Sequence, residues 1–160
     1  MSVHLEVWRI SADTPDYEAH DLSGKGAEKT GGRWNRKGTP MVYASPSRSL
    51  ACLETVVHLG GGNPLPLNRF LVQIHLPIAS WNARTLLKPA DHIGWDAEPA
   101  GKVSLDWGTD WALGKTTLLA TVPSIIVPEE LNILINPAHP DAAKVKAIKV
   151  RKWTYDLRLK

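Results

Sequence analysis

An α+β fold, one domain with a mixed but mostly antiparallel sheet and helices at its flanks, is what this sequence predicts. Three observations lead there. Apolar stretches with period-two alternation outnumber those with helical periodicity. The two kinds do not alternate regularly, which argues against a doubly wound parallel sheet. And 160 residues with 43% hydrophobic and 22% charged side chains suit a single domain, 1–160, that buries roughly two-thirds of its unfolded surface.

The elements follow in order. Leu5–Ile10, LEVWRI, is a strand, because β-branched and aromatic residues dominate it; Leu5, Val7 and Arg9 share one face, Trp8 and Ile10 the other. Arg9 stands near the strand's end, where a side chain can reach a site at the sheet's edge. Asp13–Lys29 is polar and reads as a loop with one short helix at Asp16–Asp21. The run SGKGAEKTGGRWN that follows is not a phosphate loop, since it lacks the GK[ST] ending and a preceding buried strand. Its glycines instead permit close backbone approach and unusual dihedrals.

Met41–Ala44 is a short strand after the Gly38–Pro40 turn. Ser45-Pro46-Ser47 then opens a helix with a hydroxyl cap and an early proline. The helix runs to Leu59 and stops at Gly60-Gly61-Gly62. Asn63–Asn68 is a proline-rich linker, and Phe70–Leu76 alternates as a strand with His75 on its more polar face.

Ala79–Gly114 is rich in Trp, Gly and Asp, with a short helix expected near Asp106–Leu113; loops of this length in small domains are often functional lids. Its four Asp (91, 96, 106 and 110) lack the spacing of a calcium loop. Thr117–Val122 and Ser124–Val127 read as strand on either side of Pro123. A further strand starts at Leu131 and ends in the turn NPAHP, where Asn136 and His139 are expected to bond the backbone. Asp141–Lys146 adds a helical turn, and Ile148–Leu159 is a terminal edge strand.

The lone Cys52 excludes a disulfide framework and fits a reducing cytoplasm. No stretch reaches the length of a membrane span, and MSVHLEVWRIS lacks the regions of a signal peptide, so a cytoplasmic location is expected. Net charge is +3, with seven Lys/Arg against two Asp in residues 141–160. Such a tail is ordinarily a solvated face, though it can touch polyanions.

One residue breaks the pattern of the chain. Leu50, Leu53 and Val57 form the expected apolar stripe of the helix that ends at Leu59, and Glu54 lies on it. A carboxylate there is costly unless paired or used. His58 follows four residues later, but E-x-x-x-H without a second pair is a weak metal signature; no metal site is expected.

Four segments then take on a joint meaning. GGRWNRKG, VYASPSRSLACLE, VPSIIVPEELNILINPAHP and YDLRL, in this order, resemble the RES domain, named for an Arg, a Glu and a Ser that match Arg33, Glu54 and Ser124. The resemblance runs from Trp8-Arg9-Ile10 to the C-terminus. It implies a fold similar to ADP-ribosyltransferase toxins and a role as the toxin of a toxin–antitoxin pair, partnered by an Xre-type helix-turn-helix antitoxin. It also implies cleavage of the nicotinamide–ribose bond of NAD⁺, a substrate and not a cofactor, by hydrolysis or phosphorolysis; the alternative is ADP-ribosylation of a cellular protein.

Catalytic roles then fall to Arg33, Tyr43 and Glu54, and NAD⁺ binding to Arg9, Arg33, Tyr43 and Ser124. An Arg fork suits the diphosphate, an aromatic face suits the cationic nicotinamide, and a carboxylate suits the developing sugar cation. Trp34 is expected to brace the loop that presents Arg33. A nucleic-acid-binding module is the remaining reading; against it, basic residues cluster only at the terminus and Glu54 has no use there.

Overall fold

The computed structural model describes residues 4–60 and 63–159. The chain enters as β1 (His4–Ala12), α1 (Lys25–Thr30), β2 (Val42–Ala44), α2 (Arg48–Leu59) and β3 (Arg69–Pro77). It continues as α3 (Ile78–Asn82), β4 (Thr85–Leu86), α4 (Lys102–Gly114), β5 (Leu119–Pro123), β6 (Leu131–Ile135) and β7 (Lys146–Lys152). Two sheets result, one ordered β1-β3-β7 and the other β2-β6-β5-β4. Every pairing is antiparallel except β4 with β5, so the expected α+β class with a mixed, mostly antiparallel arrangement holds.

Alternation along the strands decides what lies between the layers. Val72, Ile74 and Leu76 of β3 meet Val42, Leu119, Ile133 and Ile135 of the second sheet in the main core. Leu71 points the other way, to Trp8, Ile10, Ala51 and Tyr155 beneath α2. On the far side of the second sheet, Ala120, Val122 and Leu134 pack under Trp34, Trp95 and Trp111. The layers are thus α2, first sheet, second sheet, and a tryptophan-rich cover that includes α4. At one edge the sheets touch: Trp8 and Ser45 exchange two backbone hydrogen bonds of 2.8 Å.

Several expectations are corrected. Asp16–Asp21 forms no helix, because Thr14 Oγ1 accepts from the backbone N–H of Asp16 and Tyr17, and Asp13 accepts from Ala19. Such local bonds offer the backbone an alternative to the helix. The helix forms instead at α1, between Gly24 and Gly31, where a loop is expected. The cap of α2 is Ser47, whose hydroxyl accepts from Leu50 N–H, so Pro46 precedes the helix and Ser45 belongs to the sheet bridge.

The apolar stripe of α2 holds at Leu50, which is buried, and is rotated beyond it: Ala51, Cys52 and Val56 face the core, while Val57 is 54% exposed. Tyr155 fixes the rotation by donating to Thr55 Oγ1 at 2.8 Å.

Ser124–Val127 is a turn and not a strand, since Ser124 Oγ accepts from the N–H groups of Ile126 and Val127. The last strand ends at Lys152, earlier than Leu159, and the chain then carries Tyr155 under α2. Helix α4 starts at Lys102, four residues before the expected Asp106. Asn136 and His139 do fix their turn, accepting from Ala138 N–H and Asp141 N–H. Among the described residues no helix is long and apolar enough to cross a membrane.

Candidate active site

Glu54 is half-buried on α2. Its Oε1 accepts two hydrogen bonds of 2.7 Å, from Ser124 Oγ at the end of β5 and from Asn132 Nδ2 at the start of β6. Asn132 Oδ1 in turn accepts from Ser45 Oγ at 2.8 Å, which orients the amide with its NH₂ toward Glu54. The Ser124 hydroxyl, donating to Glu54 and accepting from two backbone N–H groups, has its one donor and two acceptor positions filled. Among the described residues nothing bonds Glu54 Oε2. The carboxylate is therefore held by one oxygen and open at the other.

Of the remaining expected residues, Tyr43 lies two positions before Ser45 on β2, Arg9 stands on β1, and Arg33 lies in the loop before β2. Arg9 Nη1 donates to the Tyr43 carbonyl at 2.9 Å. Its Nε is enclosed with no partner, and burial lowers the guanidinium's pKa from its usual value. No carboxylate among the described residues forms an ion pair with it.

The Tyr43 hydroxyl donates to Asn35 Oδ1 at 2.5 Å and accepts from Trp34 N–H at 3.1 Å. Burial raises this phenol, with Arg9 and Arg33 pulling the other way. Gly32 makes the packing possible, since a Cβ there would lie 2.7 Å from the Tyr43 hydroxyl.

Arg33 is not open behind its glycines. Its guanidinium donates to the carbonyls of Trp95 and Ala97 and to Glu98 Oε2, at 3.2, 2.7 and 2.5 Å. The side chain is 14% exposed, against 74% for Glu98. The 95–98 segment thus occupies the cation that an anionic ligand would use.

Trp34 braces the loop as expected, stacked on Trp95 at 6.3 Å and edge-on to Trp107 at 5.7 Å. Arg36 secures the same loop to α4 through Asp106 and through its N–H to Thr109.

The structure therefore joins Glu54 to Ser124 and Arg9 to Tyr43, links the two pairs through Ser45 and Asn132, and ties Arg33 to the 95–98 loop. Sequence reasoning missed Ser45, Glu98 and Asn132 as parts of the site. A polar amide opening the otherwise apolar run LNILI was a usable signal for Asn132; Glu98 offered none.

Comparison with known proteins gives the family and the fold. The family model for the RES domain matches residues 6–158. The Prs ADP-ribosylating toxin of a Sphingobium species is 58% identical over 153 residues, covering 95% of this chain and 94% of that protein. Toxin Res of Pseudomonas putida is 38% identical over 154 residues, covering 96% and 98%. The same-named toxin of Yersinia enterocolitica is 37% identical over 147 residues, covering 90% and 93%. A structure of the M. tuberculosis MbcT–MbcA toxin–antitoxin complex shares the fold at a TM-score of 0.59 and 15% identity, over 92% of this chain and 85% of that one. On its sequence from residue 6 to 158, the chain belongs to the RES-domain family.

Proposed function

We propose that this protein is the toxin of a toxin–antitoxin pair and that it breaks the nicotinamide–ribose bond of NAD⁺. The observation that carries the reading is the Glu54 carboxylate, with one oxygen fixed by Ser124 and Asn132 and the other unbonded. Nicotinamide leaves as a neutral ring and takes the electron pair of the C–N bond, so it needs no proton from the enzyme. What needs help is the oxocarbenium-like ribose. A preorganised carboxylate oxygen at the anomeric carbon stabilises that charge.

Arg9 supports the other end of the substrate: a partly buried guanidinium with an unbonded Nε suits a diphosphate oxygen. Ser124, with its bonding positions filled, serves by orienting Glu54 and not by holding the sugar. Tyr43, its hydroxyl engaged, offers the nicotinamide its ring.

A second reading concerns the acceptor. The Sphingobium relative, at 58% identity, carries the name of an ADP-ribosylating toxin, which favours transfer to a protein side chain over water or phosphate. Both readings share the bond-breaking step. Incubating the purified protein with NAD⁺ and assaying nicotinamide tests that step, and no release above background sinks both. Mass analysis with phosphate and with cell extract then separates free ADP-ribose, its phosphate ester and modified protein. A helix-turn-helix antitoxin of the Xre type is the expected partner.

Three further outcomes follow from the geometry. Asn132→Ala is expected to lower kcat roughly ten- to a hundredfold, because a hydrogen bond to a charged group contributes about 1.5–3 kcal/mol. In Asn132→Asp the acid limb of the pH–rate profile should move toward neutrality, since a second carboxylate beside Glu54 disfavours two negative charges. An unchanged profile would mean that Asn132 only fills space. Glu98→Ala should lower KM for NAD⁺ roughly two- to fivefold with kcat little changed, the scale of an exposed ion pair. A raised KM would instead give the 95–98 loop a part in binding.

A further inference from the structure

On the outer face of the first sheet, three side chains stand together that the reaction does not use. His4 and Glu6 are two apart on β1 and so share a face, and Glu6 pairs in register with His75 on the neighbouring β3. The two imidazoles stack with centroids 4.1 Å apart and 11° between their planes. His4 Nε2 lies 3.9 Å from Glu6 Oε1. One ligating atom from each residue falls within 4.8 Å of the other two.

We propose that His4, Glu6 and His75 form a binding site for a divalent transition-metal ion of the zinc class. Two imidazole nitrogens and one carboxylate oxygen make a borderline donor set, which suits zinc, nickel or copper and not the all-oxygen preference of magnesium or calcium. Bonds of about 2.0–2.2 Å to each ligand require the three atoms to draw together by roughly an ångström. That movement is open to side chains standing on the partly exposed face of a sheet.

The backbone beneath them is rigid: β3 is the central strand, and nine residue pairs hold β1 to it in continuous register. Gln73 Oε1, 3.1 Å from His75 Nε2, supplies the kind of outer partner that fixes a ligating imidazole. The neighbouring cation is Lys146, in register with His75 on the other side; its Nζ lies 3.5 Å from the Ala143 carbonyl. The exposed face leaves a fourth coordination position to water. A bound ion would pin the start of β1, the strand that carries Arg9, to the middle of the sheet.

The test is calorimetric titration of zinc chloride into the full chain without a histidine tag, with magnesium chloride as control. One equivalent of zinc should bind, and magnesium should give no heat. Glu6→Gln and His75→Gln should each weaken zinc binding at least roughly tenfold. The thermal midpoint should rise with zinc in the parent protein and not in the variants. Both substitutions sit on a partly exposed face, and circular dichroism checks that each variant is folded. Should one fail to fold, the other carries the test. Zinc binding equal in parent and folded variant would assign it to other histidines and overturn the proposal. So would the absence of saturable binding.

Discussion

Replacing Glu54 with Gln is expected to lower NAD⁺ turnover by roughly a hundred- to a thousandfold, the loss seen when one preorganised electrostatic group is removed from a transition state, while the protein stays folded. The choice of Gln separates charge from shape. Its amide oxygen can still accept from Ser124 and Asn132, as Glu54 Oε1 does at 2.7 Å from each. What disappears is the negative charge on the open oxygen. Nicotinamide release reads the rate, and circular dichroism confirms the fold. A variant within about threefold of the parent would show that the carboxylate's charge has no part in the reaction, contrary to the oxocarbenium argument. Glu54→Ala should be no more active, and it also leaves the Asn132 amide without its acceptor.

Gly108→Ala is expected to cost about 3 kcal/mol or more in stability, the upper end of overpacking, despite the roughly 1 kcal/mol by which Ala is the better helix former. A Cβ at Gly108 would lie 1.8 Å from the Trp34 carbonyl oxygen and 2.7 Å from its carbon. Both atoms are backbone, so no rotamer relieves the contact. Helix α4 and the 31–39 loop must separate, and the loop carries Arg33 as well as the Asn35 that anchors Tyr43. Urea unfolding should show the midpoint fall with little change in slope, and KM for NAD⁺ should rise in whatever fraction stays folded. Unchanged unfolding would contradict the close packing of α4 on Trp34.

The two positions differ in how visible they were. Glu54 announced itself by standing among apolar residues on a helix. Yet the stripe it stands on is buried only at its start, since Leu50 is 3% exposed and Val57 is 54% exposed. The helix is turned by Tyr155, a hundred residues away, and no local pattern carries that contact. The strands at Leu5, Met41, Phe70 and Leu131 and the helix stop at Gly60 were legible, because alternation and capping are local signals.

The Asp16–Asp21 helix failed because Asp13 and Thr14 claim the nearby backbone first. Ser124–Val127 reads as strand by composition, but its leading hydroxyl closes a turn. At Arg33 the sequence marked a cation and was silent about its occupant, because Glu98 is 65 residues away in sequence. The roles proposed for Arg33, Tyr43, Glu54 and Ser124 came from the family resemblance; the structure adds the Asn132–Ser45 connection behind them.

The thinly bonded guanidinium of Arg9 has a consequence for the lifetime of the protein. A partly buried guanidinium with one hydrogen bond and no ion pair among the described residues weakens the empty fold. Any anion that reaches it binds the folded state alone and stabilises it by mass action. The resting chain is then more open to proteases than the loaded one, since degradation tracks the population of opened molecules. A cell rich in the ligand would preserve this protein, and one that has exhausted the ligand would clear it sooner.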